Sequence, residues 1–335
     1  MNKYKVSVCV SVYNTERYIR RCLDSLVNQS LKEIEIVVVN DGSTDGTAQI
    51  LDEYSKRYDN IVVISQVNSG LSIGRKVGVE NSQGEYIAFL DADDYILADA
   101  YEKLYNYACK HDVDIVEMDT KWGEKLISSN QNDIISSHTY LKRYLWGNPI
   151  IWPMLWLRIY KKELFREGVF TELYCNNEDI FAFPCLLYNA KNIGFLHEQL
   201  HIYSIDYEDS IERGLPNNKM LADKYFSNRV TTLESVNHIG EYIKVSENSE
   251  FYNFFLQYKQ IRIITFLHTD IFGVSYAEKY EMVCKVLDFK NVREIKRFVR
   301  QNTNNNSLYS VIIRLFGIRV SKYLRDLKKI FNKRK

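Results

Sequence analysis

Short apolar runs alternate along the first third of the chain with stretches whose apolar residues recur at helical spacing. Val6 to Val12 is rich in β-branched residues and nearly continuously apolar, which predicts a parallel strand buried on both faces. Thr15 is placed to cap a helix whose apolar face is Tyr18, Ile19, Cys22, Leu23, Leu26 and Val27, with a break at Gln29-Ser30. Ile34 to Val39 predicts a second strand, a helix follows through Ile50, Leu51 and Tyr54, and Ile61 to Ile64 predicts a third strand. After Asn68-Ser69-Gly70 a helix should run to about Asn81, followed by a strand Tyr86 to Leu90, a helix from about Ala98 to Lys110 and a strand Val113 to Met118. Four strand–helix alternations within ~120 residues predict an α/β fold, with a Rossmann-like, mostly parallel sheet flanked by helices through right-handed crossovers. In such sheets ligands bind beyond the carboxyl ends of the strands. Tyr13-Asn14, Asn40-Asp41 and Asp91 to Asp94 all fall there.

Beyond residue 120 the pattern weakens. Lys121 to Ser137 is polar, and from Tyr140 the chain is crowded with aromatic residues: Tyr144, Trp146, Trp152, Trp156, Tyr160, Phe165 and Phe170. Core packing accounts for such a run; stacking against sugar rings is the alternative. From about Lys219 the spacing is helical without a motif. A boundary near Arg213 to Asn218 therefore divides a first domain, residues 1–215, from a helical C-terminal region, residues 216–335, that ends in a basic amphipathic segment.

Composition narrows the class. A chain of 335 residues, 46% apolar and 26% charged, has the make-up of a globular protein and excludes collagen, disorder and low complexity. The balance of 44 Lys plus Arg against 43 Asp plus Glu, a net +1, excludes a generally basic nucleic-acid binder. The sum hides an asymmetry: Arg314 to Lys335 carries nine basic residues and one acidic, so that tail is +8 and the rest of the chain −7. Apolar and basic residues interleave from Leu308 to Lys335, which suits either a helix lying on an anionic membrane surface or a helix docked with its basic face in solvent. The six cysteines are scattered without a CxxC pair, as expected of reduced thiols in the cytoplasm. The first apolar run stops at Tyr13-Asn14 and charge resumes at Glu16, so it reads as a strand and not as a signal peptide. No apolar stretch approaches the ~18 residues that span a bilayer, so membrane association would be peripheral.

Three places can carry chemistry. Asp91, Asp93 and Asp94 at a strand end repel one another unless a cation neutralises them, and Mg²⁺ or Mn²⁺ takes such oxygen ligands together with substrate phosphates; a solvated turn or helix cap is the alternative. Asp41 could accept a hydrogen bond from a nucleobase edge or serve a turn with Gly42. Glu178-Asp179, entering an apolar segment, could cap a helix or supply a general base. No GxGxxG, P-loop, HExxH or GxSxG is present.

Taken in order, five segments resemble those of a bacterial family 2 glycosyltransferase with the GT-A fold, of the capsule and exopolysaccharide type. They are residues 6–14 (VSVCVSVYN), 36–47 (IVVVNDGSTDGT), 68–72 (NSGLS), 84–94 (GEYIAFLDADD) and 177–179 (NED), and the resemblance covers roughly residues 4 to 210. It implies a donor site formed by Tyr13, Asn14, Asp41, Asn68, Arg75, Asp91 and Asp93. Asp41 would bind uracil, Asp91 the nucleoside side of a DXD motif, Asp93 the metal, Mn²⁺ or Mg²⁺, and Asp179 would be the catalytic base. The implied reaction is inverting transfer from a nucleotide-sugar donor, of UDP type, to a saccharide acceptor. That acceptor would be lipid-linked and the enzyme cytoplasmic, at the inner face of the plasma membrane. Several positions depart from the family pattern: Ser11 for Pro, Asn40 for Asp, Gly74-Arg75-Lys76 for Ala-Arg-Asn and Ser204-Ile205 for Tyr-Arg. Arg158 replaces a Lys expected near phosphate or acceptor. A sugar nucleotidyltransferase, the first alternative, would carry a Gly-rich basic loop where Tyr13-Asn14-Thr15-Glu16 stands. An inactive binding module, the second, would have lost one of the four aspartates, all present here.

Overall fold

A computed structural model describes residues 3–122, 125–129, 131, 134–148, 150–171, 177–204, 219–268 and 274–301. The basic segment 308–335 and the boundary region near 213–218 lie outside the described residues. The chain forms two compact units: Met1–Leu141 with Pro149–Ser210, and Lys142–Asn148 with Ile211–Lys335.

The strands of the first unit are β1 (Tyr4–Val12), β2 (Ile34–Asp41), β3 (Ile61–Gln66), β4 (Gly84–Phe89), β5 (Tyr95–Ile96), β6 (Ile115–Trp122), β7 (Lys125–Ile127), β8 (Ile135–Ser136), β9 (Arg158–Lys161) and β10 (Asn192–Ile202). They make one sheet in the order β3-β2-β1-β4-β9-β6-β10-β5, with β7 on β6 and β8 on β10. The helices of this part of the chain are α1 (Ile19–Val27), α2 (Thr47–Arg57), α3 (Leu71–Glu80), α4 (Ala100–His111), α5 (Ser137–Leu145) and α6 (Glu178–Asn189). β3, β2, β1 and β4 run parallel, as the apolar runs predict. Every residue of β2 is buried, as is required of a strand covered on both faces.

The sheet is mixed because β9, which the apolar pattern does not flag, runs antiparallel between β4 and β6. Burial of Arg158 explains its invisibility. The side chain is fully enclosed and bonds Glu117 on β6 through Nε at 2.7 Å, with Nη1 and Nη2 donating to the carbonyls of Met154 and Trp152. The expected place of Arg158 beside phosphate or acceptor is therefore wrong: every guanidinium nitrogen is spent on the protein, with the ring of Phe183 3.9 Å away. Thr15 does not cap α1 through its side chain either; its carbonyl accepts from Tyr18 and Ile19 to form a preceding turn.

Helix α3 approaches the sheet closely through two glycines four residues apart. A Cβ at Gly74 would stand 2.3 Å from Ser11 Oγ, and one at Gly78 would stand 3.1 Å from Cys9 Cβ. The departures at Ser11 and Gly74 are thus one matched pair, which sets α3 and its Arg75 at their distance from β1. The second unit contains α7 (Lys219–Tyr242), α8 (Tyr252–His268), α9 (Tyr276–Leu287) and α10 (Val292–Gln301), packed through Val236, Ile239, Ile263, Leu267, Val283 and Ile295. Ser275 starts α9 with a capping box to Glu278.

Candidate functional site

β2 and β4 flank β1, so their carboxyl ends lie one strand spacing, about 5 Å, to either side of it. The loops leaving β1 and β2 are tied to each other. Asn14, in the left-handed conformation that Asn tolerates, accepts from Thr44 N at 2.8 Å, while its own N–H donates to Ser43 Oγ at 3.1 Å. Thr15 N donates to Thr47 Oγ1 and Glu16 accepts from Gly46 N. Tyr13, half exposed, stands beside this clamp.

Asp41 ends β2 almost sealed from solvent. Its Oδ1 accepts from Gln66 Nε2 at 2.7 Å and Ser69 N at 2.8 Å, and its Oδ2 from Gly70 N at 2.8 Å. The carboxylate therefore organises the turn that carries Asn68. Gly42 makes room for that turn, since its φ of +77° and a would-be Cβ 2.8 Å from Asn68 N both exclude a side chain. The replacement at Asn40 is local, with its Oδ1 accepting from Ser43 N within the same turn.

Arg75 reaches from α3 to the end of β4. It is buried over the ring of Phe89, donates to Asp91 Oδ1 at 2.7 Å, and makes a second ion pair with the buried Glu178. Glu178 and Asp179 begin α6, after Asn177 in a left-handed conformation. Asp179 is half-buried. One guanidinium thus links the acidic turn to the first helical residue before Asp179. The remaining oxygen of Glu178, Oε2, is buried without a hydrogen-bond partner among the described residues. Glu178 is a site residue that sequence reasoning grouped with Asp179 without a role of its own. Its signal was adjacency to an apolar helix, which does not reveal a partner a hundred residues away.

Asp91, Asp93 and Asp94 bring one carboxylate oxygen each within 4.8 Å of one another. Desolvation, and then the charge of Asp91, push Asp93 up to about 7 and Asp94 up to about 8, from an ordinary 3.8. Arg75 offsets only part of this charge, and Arg21, exposed on α1, uses Nη2 to hold the Asp93 carbonyl at 2.7 Å and Ser204 Oγ at 2.6 Å. Behind the turn, Asp94 meets the fully buried His201 of β10, which burial lowers to about 3. Trp156 stacks on His201 with ring centroids 4.2 Å apart and on Tyr203 at 6.0 Å, and Phe89, Tyr160, Phe165 and Phe170 pack edge to face and in parallel. The aromatic run of the first unit is therefore chiefly core. Neither His201 nor Ser204 was singled out by the sequence as a partner of the acidic turn; a lone His in a β-strand gives no cue to what lies across from it.

Residues 7–168 match the family model described as Glycosyl transferase family 2. The chain is 48% identical over 111 residues to the glycosyltransferase GlyA of Streptococcus pneumoniae, a match covering 33% of this chain and 16% of that one. It is 31% identical over 214 residues to the uncharacterized glycosyltransferase EpsJ of Bacillus subtilis, covering 59% of this chain and 60% of that one. The chain thus spans less than two thirds of the length of either relative. Among solved structures, residues 1–349 of Staphylococcus aureus TarS in complex with UDP superpose with a TM-score of 0.65 at 20% identity, over 97% of this chain and 92% of that one. The GT-A fold implied by the sequence resemblance is the fold of this chain.

Proposed function

We propose that this chain is an inverting glycosyltransferase moving a sugar from a nucleotide-diphosphate donor to a hydroxyl of a saccharide acceptor, a reading supported by the match of residues 7–168 to the glycosyl transferase family 2 model. The observation that carries the reading is the chain Asp91–Arg75–Glu178: it couples a cluster of three carboxylates at the end of β4 to the helix start that bears Asp179. UDP is the favoured nucleotide, supported by the UDP complex of TarS. The donor would lie across the carboxyl ends of β1, β2 and β4, with its base beside Tyr13, Asn14, Asp41 and Asn68. Among the described residues Asp41 Oδ2 accepts one hydrogen bond, from Gly70 N, which leaves a lone pair for the base.

The donor set fits a divalent cation. All three groups are carboxylates, and the burial that raises Asp93 and Asp94, together with the neighbouring charge of Asp91, is the condition a bound cation relieves. Asp93, aided by Asp91, would hold Mn²⁺ or Mg²⁺, and such an ion supplies positive charge against a departing diphosphate. Arg75 keeps Asp91 turned toward the donor and prevents it from swinging into solvent. Asp179 accepts the proton of the acceptor hydroxyl as that oxygen attacks the anomeric carbon, and a single displacement inverts the centre. A lipid-linked acceptor, work at the cytoplasmic face of the membrane and a role in surface polysaccharide synthesis complete the proposal. The basic segment 308–335 supports the membrane placement, and no helix among the described residues is long and apolar enough to cross a bilayer.

The test is a screen of nucleotide-sugars against the purified chain with Mn²⁺ or Mg²⁺, with and without saccharide acceptors, reading released nucleoside diphosphate. One donor turned over well above the rest supports the proposal. Release of pyrophosphate from a sugar phosphate and a nucleoside triphosphate would replace it with the nucleotidyltransferase alternative.

A further inference from the structure

We propose that Asp94 and His201 form a buried positioning pair that braces the acidic turn, so that Asp94 holds the turn in shape and Asp93 is left to meet the cation. The inference rests on the glycosyltransferase reading only for the identity of what the turn binds.

The turn is short and clamped at both ends by strands. β4 leads into it, and β5 leads out and pairs with β10, Ile96 opposite His201 and Tyr95 opposite Ile202. β10 breaks register between Gln199 and His201, an irregularity of the kind that re-aims a side chain. At that point the imidazole of His201, completely buried, faces Asp94, which is 1% exposed. Asp94 Oδ1 accepts from Ser204 N at 2.8 Å. Asp94 Oδ2 lies 3.3 Å from His201 Nε2, and neither atom has a hydrogen-bond partner among the described residues. Each is therefore the other's polar neighbour, in a place where a polar group left alone is costly.

The far side of the ring is equally defined. Thr120 Oγ1 lies 3.0 Å from His201 Nδ1 and donates to the His201 carbonyl at 3.3 Å. With its proton directed to that carbonyl, the hydroxyl oxygen accepts from Nδ1–H, which turns the Nε2 lone pair toward Asp94 Oδ2, so the donor in that contact is the protonated Asp94 carboxyl. Trp156, itself buried, covers a face of the ring at 4.2 Å and 18°. The imidazole is held at its edges by Thr120 and Asp94 and on its face by Trp156, so it presents a rigid wall to the turn.

The three carboxylates accordingly divide. Asp91 Oδ1 is taken by Arg75, and both oxygens of Asp94 face protein groups. Asp93, partly exposed, takes none of these partners. A ligand and a brace respond oppositely to an amide. A carboxylate ligand cannot be replaced by Asn without loss of charge, whereas Asn at 94 keeps an oxygen for Ser204 N and offers an N–H to Nε2.

The test uses the full chain with UDP present and Mn²⁺ as the probe, reading free ion by electron paramagnetic resonance and, separately, thermal unfolding. Asp94→Asn should keep Mn²⁺ affinity within about threefold, whereas Asp93→Asn should lose about tenfold or more, the scale of one lost charge-assisted contact. Asp94→Ala and His201→Phe should each weaken both affinity and stability, and the double variant should be little worse than either single one, as for two residues in one network. Loss of Mn²⁺ affinity in Asp94→Asn equal to that in Asp93→Asn would overturn the brace. So would additive destabilisation in the Asp94→Ala, His201→Phe cycle. If the wild-type chain binds no Mn²⁺, the proposed donor site fails and the stability cycle alone decides: coupling, with rescue by Asn at 94, upholds the brace, and additivity overturns it.

Discussion

At the scale of single residues, proton placement decides both the proposed chemistry and the response to pH. Asp179→Asn removes the proposed proton acceptor while keeping the shape of the helix start, so transfer should fall by about 10²- to 10⁴-fold with donor affinity nearly unchanged. Kinetics of nucleotide release set beside binding of the nucleotide alone checks this, and wild-type turnover in the variant would remove Asp179 as the base. The acidic turn carries a second prediction. Asp93 and Asp94, raised to about 7 and about 8, stabilise the fold fully only below their ordinary 3.8, and that contribution drains away as pH climbs through the raised values. His201, lowered from 6.5 to about 3, works in the other direction: its contribution is complete above 6.5 and is lost as pH falls toward 3. The two effects oppose each other below 6.5. Above it only the carboxyls act, so the melting temperature of the cation-free protein should drop between pH 6.5 and 8. Unfolding scans in chelator should show the drop, Mn²⁺ should reduce it, and the Asp93→Asn, Asp94→Asn double variant should flatten it.

At the scale of elements, the close approach of α3 to β1 positions Arg75 and makes its own prediction. Gly74→Ala places a methyl against Ser11 Oγ and should cost about 1–3 kcal/mol by overpacking; Ser11→Ala in the same chain should recover most of it. Denaturant unfolding of the two singles and the double checks the coupling, and equal losses with and without Ser11 would show that α3 does not depend on this contact. The parallel half of the sheet was legible because strands buried on both faces write themselves as β-branched runs: β2 and β3 begin at the predicted residues, and β1 ends at the predicted Val12 but begins at Tyr4, ahead of the predicted Val6. The β9 strand was not, because its first residue is an arginine whose burial depends on Glu117, 41 positions away. The same limit applies to the site. The sequence pattern put Asp41, Asp91 and Asp93 at strand ends, which is where the structure has them, since a strand end is a local property. It could not show that Arg75 joins Asp91 to Glu178, or that Asp94 turns its back on the cluster to meet His201, since both are tertiary pairings.

At the scale of the whole molecule, charge is distributed rather than neutral. The acidic excess of the first 313 residues includes a cluster that asks for a cation, while the last 22 carry +8. A segment in which Val311, Ile312, Leu315, Ile318, Leu324, Leu327 and Ile330 interleave with nine basic residues has both things that peripheral membrane binding uses. Its apolar side chains can enter the headgroup boundary, and each cation near an anionic surface contributes about 1 kcal/mol at low salt. The full chain should therefore co-sediment with vesicles containing phosphatidylglycerol and much less with purely zwitterionic ones. Raising the salt should release it, because charges beyond about 8–10 Å are screened near physiological ionic strength. Removing residues 308–335 should abolish binding while leaving the release of nucleoside diphosphate from a soluble acceptor reaction unchanged. Equal sedimentation of the full and shortened chains would remove the tail from the membrane proposal. A shortened chain that fails to fold would assign the segment to packing, because a helix lying on lipid contributes nothing to the stability of the free protein.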